Sequence, residues 1–225
     1  MQHNTKFAEL IEKNPRILLL LPRFGIGLGF GDHSVSEVCS QYHISPDFFL
    51  LVCKVYSDND YFPDAADLKS VDSNDLIAYL TTSHHYYLNT QLPHIESHLD
   101  EVVKACQPKY GLLLKRFFQE YQQEVVKHFE YEEHIVFPYI HSVIDNNPIK
   151  DYRIMMFKHN HSNIEDKLSD LLNILLKYLP AEIEPQSRID ISLDIIELSA
   201  DLNSHSLIEE RVLIPYVEML EGGES

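Results

Sequence analysis

Residues 128–138, HFEYEEHIVFP, match residues 205–215, HSLIEERVLIP, so that His, Glu, Glu and Pro recur at the same offsets, 77 residues apart. A second pair of histidines, His85 and His161, has nearly the same separation, 76 residues. The repeat indicates two helical hairpins. Each hairpin is expected to carry one single histidine and one His-x-x-x-Glu motif.

The repeat lies in a region that is almost free of glycine. Four of the seven glycines fall in residues 25–31 and two near the end of the chain, so that only Gly111 lies between. Such segments, rich in Leu, Ile, Glu and Tyr, favour helices. An all-α fold is therefore predicted, an up-down-up-down four-helix bundle. Its helices are expected at about 73–104, 108–144, 149–178 and 187–220, with kinks at Pro93, Pro138 and Pro215.

Residues 1–70 are predicted to form a separate small helical domain, and residues 71–225 the bundle. Within the first domain, residues 34–57 have the order helix, three-residue turn, helix, which also occurs in DNA-binding proteins. Lys54 is the only lysine or arginine in that stretch, and a DNA reader needs more. We therefore interpret it as part of a small helical cap. The glycines of residues 25–31 are interpreted as a turn, because the Gly-Lys-Ser/Thr ending of a phosphate loop is missing.

Composition excludes several classes of protein. The chain has 18 Lys and Arg against 35 Asp and Glu, a net charge of −17, which repels nucleic-acid backbones. No apolar run approaches the roughly 20 residues of a membrane span, and the N-terminus has no signal-peptide pattern. The three scattered cysteines are typical of reduced thiols. We expect a cytoplasmic protein that binds neither nucleic acid nor membrane.

The conserved offsets of the repeat place polar groups together. Residues i and i+4 share one helix face, so His128 lies with Glu132, and His205 with Glu209. His85 and His161 are each about 12 residues into their helices, and the glutamates lie about as far from the ends of theirs. In an up-down bundle these positions lie at the same depth along the bundle axis. The predicted metal ligands are His85, His128, Glu132, His161, His205 and Glu209.

Six such groups would be costly to bury without compensation. A pair of metal ions resolves the cost, since imidazole and carboxylate suit iron, manganese or zinc. Two bridging glutamates and two histidines would give each ion four protein bonds, and a bridging oxo or hydroxo group would leave one position open. Glu133 and Glu210 follow the predicted ligands and either accept hydrogen bonds from ligand histidines or lie on the surface. The remaining histidines of the bundle are expected to face solvent or to lie behind the ligands: His84, His94, His98, His134, His141 and His159.

The chain resembles the hemerythrin-like, His-His-Glu (HHE) cation-binding domain proteins, and among them the di-iron proteins that repair iron centres. The residues that carry the resemblance are His85 with Gln91-Leu92-Pro93, His128-x-x-x-Glu132 with Phe137-Pro138, His161, and His205-x-x-x-Glu209 with Pro215. It implies a non-haem di-iron centre with four histidines and two bridging glutamates. It also implies a stress-response role in which iron is supplied to iron–sulfur clusters damaged by nitric oxide or peroxide. The family's N-terminal domain usually carries two adjacent cysteines before glycines, whereas this chain has Leu28-Gly29-Phe30-Gly31.

Three functions follow as hypotheses. The first is iron–sulfur cluster repair, with apo iron–sulfur proteins and NO as partners. The second is a hemerythrin-like sensor or store that binds O₂ or NO and has no repair activity. The third is a structural bundle with coincidental polar residues. Metal content separates the third from the others, and iron transfer to an apo acceptor separates the first from the second.

Overall fold

The computed structural model describes residues 1–160, 164, 166–178 and 183–222. His161, one of the predicted ligands, lies outside the described residues. Across the described ranges the chain forms helices and no strand, apart from one isolated β-bridge between Lys6 and Ser34. The all-α prediction is confirmed. None of the described helices combines the length and the hydrophobicity that crossing a bilayer requires.

The α-helices are α1 (Phe7–Lys13), α2 (Val35–Gln41), α3 (Pro46–Ser57), α4 (Ala65–Lys69), α5 (Ser73–Tyr86), α6 (Leu92–Ala105), α7 (Pro108–Tyr131), α8 (Phe137–Ile144), α9 (Ile154–Asn160), α10 (Asp166–Lys177), α11 (Pro185–Ile208) and α12 (Ile214–Gly222). A 3₁₀ turn follows α1 at Pro15–Leu19. Five-residue π-helical turns join three pairs of these helices: Tyr87–Gln91, Glu132–Val136 and Glu209–Leu213. The joined helices make continuous runs over 73–105, 108–144 and 185–222, close to three of the four predicted helices.

The third predicted helix begins later than expected. The sequence predicts a start at about residue 149, but α9 begins at Ile154. Asn146 and Asp151 have positive φ angles of 52° and 68°, which an α-helix does not allow. Pro148 lies between them and disfavours helical geometry in the residue before it. The sequence after α8 therefore forms a longer connection.

Each predicted kink corresponds to a π-helical turn. Pro93, Pro138 and Pro215 each lie six residues after the first residue of such a turn. Proline donates no backbone hydrogen bond, and its ring collides with the carbonyl four residues earlier in a regular α-helix. Widening the preceding turn accommodates the ring, and π turns of this kind recur at functional sites. Two of the three turns begin at the glutamates of the repeat.

The first of two compact units comprises Met1–Ser83, Val136–His161 and Ser204–Ser225. Its core includes stacked aromatic rings, with Phe24 on Tyr79 at 4.9 Å between ring centroids. Arg16 donates from Nη2 to Ser204 Oγ at 2.8 Å, and Arg211 donates to the carbonyl oxygen of Tyr61 at 2.8 Å. The N-terminal helices are therefore held to the last part of the chain within this unit. The proposed domain boundary at residue 70 remains a prediction.

The second unit comprises His84–Ile135 and Ser162–Asn203. Helix α7 packs against both α6 and α10 there. Its buried side chains recur every three or four residues, which gives one continuous apolar face. These side chains are Leu114, Phe118, Tyr121, Val125 and Phe129. The same side of α7 leads directly to the polar residues at its end.

Candidate metal centre

Two buried histidine–glutamate pairs mark the ends of α7 and α11. His128 Nε2 lies 2.8 Å from Glu132 Oε1, and His205 Nε2 lies 3.1 Å from Glu209 Oε1. Both glutamate side chains are 0% exposed, which is unusual for carboxylates. In each pair the glutamate is the first residue of a π-helical turn, four residues after its histidine. The repeat seen in the sequence is therefore a structural repeat.

Glu132 faces a second histidine besides His128, and this residue is His84. Its Nε2 atom lies 3.0 Å from Glu132 Oε2, and its side chain is 1% exposed. His85, which the sequence analysis placed here, is exposed, and its Nδ1 atom lies 3.2 Å from the side-chain nitrogen of Asn89. The structure thus corrects the choice between two adjacent histidines. Because neighbouring residues on a helix are rotated by about 100°, only one of the two can point toward Glu132.

A signal for His84 was present in the sequence. His84 lies 77 residues before His161, and the same spacing relates His128 to His205 and Glu132 to Glu209. His85 is off by one residue. The exact period of the repeat, applied to every pair, therefore selects His84.

The ring of His84 is fixed by two further contacts. Its Nδ1 atom lies 2.8 Å from Glu133 Oε1, and the ring stacks on Phe129 with centroids 4.0 Å apart. The hydrogen bond to His84 lowers the pKa of Glu133, although burial opposes the shift. An ionised carboxylate only accepts hydrogen bonds, so Nδ1 carries the hydrogen of this contact, and Nε2 is the ring nitrogen that faces Glu132. This arrangement, carboxylate to histidine to metal, is the usual support for a ligand histidine.

The surroundings of Glu132 suit a cation. Both of its carboxylate oxygens lie within 3.0 Å of a histidine nitrogen, yet within the described part of the chain neither accepts a hydrogen bond of good geometry. The carboxylate of Glu132 therefore lies between two imidazole rings, and no described residue gives either oxygen a hydrogen bond of good geometry. A buried carboxylate needs compensation by a positive charge. Imidazole nitrogen and carboxylate oxygen form a donor set for iron, manganese or zinc.

The predicted ligands divide as follows. Glu132, His205 and Glu209 belong, together with His84, to one group of buried side chains that could hold a metal ion. His128 lies beside Glu132 with its side chain 10% exposed. His161 falls in the part of the chain that is not described, and His85 is exposed. Of the histidines expected to face solvent or to lie behind the ligands, four are exposed: His94, His134, His141 and His159.

Glu133 and Glu210 have different environments. Glu133 accepts from His84, one of the two alternatives that the sequence left open. Glu210 is exposed. His94 and His98, set aside in the sequence analysis, lie beside Asp194. These contacts join side chains of α6 and α11, which are far apart in the sequence, and no local motif indicates them.

An all-α fold with paired buried His-x-x-x-Glu motifs defines a metal-binding helical protein. The family model for the hemerythrin HHE cation-binding domain matches residues 76–217, more than half of the chain. The protein belongs to the hemerythrin HHE cation-binding family. The matched range contains every histidine and glutamate of the buried group. No curated protein matches the chain.

Proposed function

We propose that the protein holds a non-haem centre of two iron ions. The proposed ligands are His84, His128, Glu132, His161, His205 and Glu209. His161 is included on the 77-residue repeat alone, and the other five also on their burial and their contacts. The observation that supports the proposal most strongly is the repeated His-x-x-x-Glu pair, in which both glutamates are fully buried. Manganese or zinc would suit the same donors.

The contacts of Glu132 support a bridging role. Its Oε1 atom lies next to His128, on α7, and its Oε2 atom next to His84, on α5. Each oxygen is thus adjacent to a different histidine, as expected if each oxygen served a different ion. The repeat extends the same role to Glu209. His84 is held in its ligand orientation by Glu133 and Phe129.

The proposed biological role is the handling of iron under nitrosative or oxidative stress. A reduced iron pair supplies reversible electron transfer and affinity for small diatomic molecules. We propose O₂ or NO as the small ligand, apo iron–sulfur proteins as acceptors of iron, and the cytoplasm as the compartment. All three cysteines are unpaired, in keeping with a reducing compartment. The resemblance to proteins that repair iron centres supports this role.

A sensor or store of O₂ or NO is the second candidate. The observation that favours it lies in the N-terminal region. The stretch Leu28–Gly31 has no cysteine, and Cys39 and Cys53, the cysteines nearest to it in sequence, are buried. Neither of these two cysteines is therefore accessible for thiol chemistry.

Iron transfer separates the two candidates. Iron-loaded protein would be mixed with an apo iron–sulfur acceptor, sulfide and reductant, and cluster assembly followed by the visible absorption of the acceptor. Repair predicts that the acceptor assembles its cluster faster with the iron-loaded protein than with an equal amount of free ferrous iron. The iron-free Glu132→Gln variant, added to the free iron, is the protein control and should give no increase. A sensor or store predicts no increase, together with a spectral change when NO or O₂ is added.

A further inference from the structure

Two histidines and an aspartate outside the buried group converge between α6 and α11. His94 and His98 are one helical turn apart on α6, with ring centroids 4.4 Å apart. His98 Nδ1 lies 2.6 Å from Asp194 Oδ2, and His94 Nε2 lies 3.7 Å from Asp194 Oδ1. One ligand atom from each of the three residues lies within 4.8 Å of both others. Each histidine thus has its own carboxylate oxygen.

We propose that His94, His98 and Asp194 form a second metal site, which takes a divalent ion of the zinc class. Imidazole and carboxylate are ligands that zinc accepts, and three protein ligands with one open position are common for this ion. Two atoms bound about 2.05 Å from a tetrahedral ion lie roughly 3.3 Å apart. The observed separations of 2.6 and 3.7 Å lie on either side of that value. Small rotations of the side chains would bring both separations close to the value expected for two ligands of one ion.

A simple ion pair accounts for only part of this arrangement. His98 and Asp194 would form it without help, but His94 lies too far from the carboxylate for a hydrogen bond. Two protonated imidazoles at 4.4 Å would repel each other. Two neutral imidazoles that share one divalent ion have no such repulsion. The position of His94 therefore favours a metal over a second ion pair.

The site is accessible and independent of the buried group. The side chains of His94 and Asp194 are 53% and 20% exposed, so an ion can enter from solvent without any movement of the helices. His94 follows His84 by ten residues, or about 15 Å along a helix. One ion cannot serve both sites. The overall charge of −17 also favours the approach of cations.

The test is a zinc titration of the full-length, iron-loaded protein by calorimetry, with iron content checked before and after. We expect one zinc ion per chain beyond any bound by the triple variant His94→Gln/His98→Gln/Asp194→Asn. Asp194→Asn and His98→Gln should each weaken binding by more than tenfold, since even loss of a residue that only supports a ligand costs about 10- to 100-fold. His141→Gln, an exposed histidine on α8, is the matched control and should bind as the wild type does.

Two further readouts make the result specific. Cobalt should give visible d–d bands that zinc removes, and copper should bind more tightly than zinc, in the Irving–Williams order. Far-UV circular dichroism confirms that each variant is folded. The proposal would be overturned if the wild type and the triple variant bound zinc equally. It would also be overturned if His141→Gln lost as much zinc binding as Asp194→Asn or His98→Gln. The iron content of Asp194→Asn should be unchanged, so failure here is distinct from failure of the buried iron centre.

Discussion

His84 Nε2 lies 3.0 Å from Glu132 Oε2, although the two residues are 48 positions apart in the sequence. The contact identifies which of two adjacent histidines is turned toward the buried carboxylate. It also gives Glu132 a second histidine neighbour besides His128, from a different helix. The proposed bridging role of Glu132 depends on this pair of neighbours.

The two adjacent histidines should differ sharply in their effect on iron. His84→Gln removes a proposed ligand, so we expect at least half of the iron to be lost during purification. His85→Gln changes an exposed side chain and should leave the iron content at the wild-type level. Elemental analysis of both variants, purified side by side without oxygen, provides the comparison. Loss of iron from His85→Gln but not from His84→Gln would restore the original assignment.

Glu133 can be tested as the support of a ligand histidine, with Glu130 as the control. Glu133→Ala removes the acceptor that holds His84 by Nδ1, and we expect iron affinity to fall by about 10- to 100-fold. Glu130, on the same helical run, is exposed. Glu130→Ala should therefore have little effect. The affinities can be measured by competition with a chelator, and equal values for the two variants would contradict the support assigned to Glu133.

The cysteines should differ in reactivity. Burial raises the pKa of the Cys39 thiol to about 12, and burial also raises the pKa of Cys53. At pH 8 roughly one Cys39 in ten thousand is then a thiolate, and the thiolate is the reactive form. Cys106 is partly exposed. We expect a thiol reagent to modify one cysteine in the native protein and all three in denaturant.

The site of that modification is found by mass spectrometry after digestion. Cys39 should react only slowly in the native protein at pH 8, because burial disfavours the charged form of its thiol. Rapid labelling of Cys39 or Cys53 in the native protein at pH 8 would show that thiols of the N-terminal region are available for redox chemistry.

Arg16 joins the N-terminal helices to the residue that precedes His205. It donates to Ser204 Oγ at 2.8 Å, and its guanidinium group lies 5.8 Å from the ring centre of Tyr56. A hydrogen bond from a charged donor contributes roughly 1.5–3 kcal/mol. We expect Arg16→Met to lower the free energy of unfolding by about 1.5 kcal/mol, measured in urea on the iron-free protein. Lys13→Met, on the exposed surface of α1, is the control, and an equal decrease there would argue against the contact.

Much of the fold was predictable because helix signals are local. Turn residues and the prolines at residues 108 and 148 predict the two ends of the helical run over 108–144. The structure has the same limits. Proline chemistry predicted irregular helices at Pro93, Pro138 and Pro215, but the form of the irregularity, a π turn, was not specified. The start of α9 could not be predicted in this way. It depends on positive φ angles at Asn146 and Asp151, which non-glycine residues adopt only occasionally.

The site was predictable as far as the repeat extends. The pairs of histidine and glutamate at i and i+4 followed from helix geometry, and burial of Glu132 and Glu209 agrees with the expected role. The rotation of α5 decides between His84 and His85, and it is set by the packing of the whole helix. His98 and Asp194 meet across two helices 96 residues apart in sequence. No spacing rule within one helix can find such a pair.

The most direct test of the central claim is the iron content of the purified protein and its glutamate variants. We predict roughly two iron ions per wild-type chain, and a severe loss in both Glu132→Gln and Glu209→Gln. The loss should exceed that in His128→Gln, because a bridging carboxylate serves both ions and a histidine serves one. Glu130→Gln, an exposed residue of α7, should keep the wild-type content. A wild-type protein without iron after anaerobic loading, or glutamate variants that retain it in full, would contradict the account.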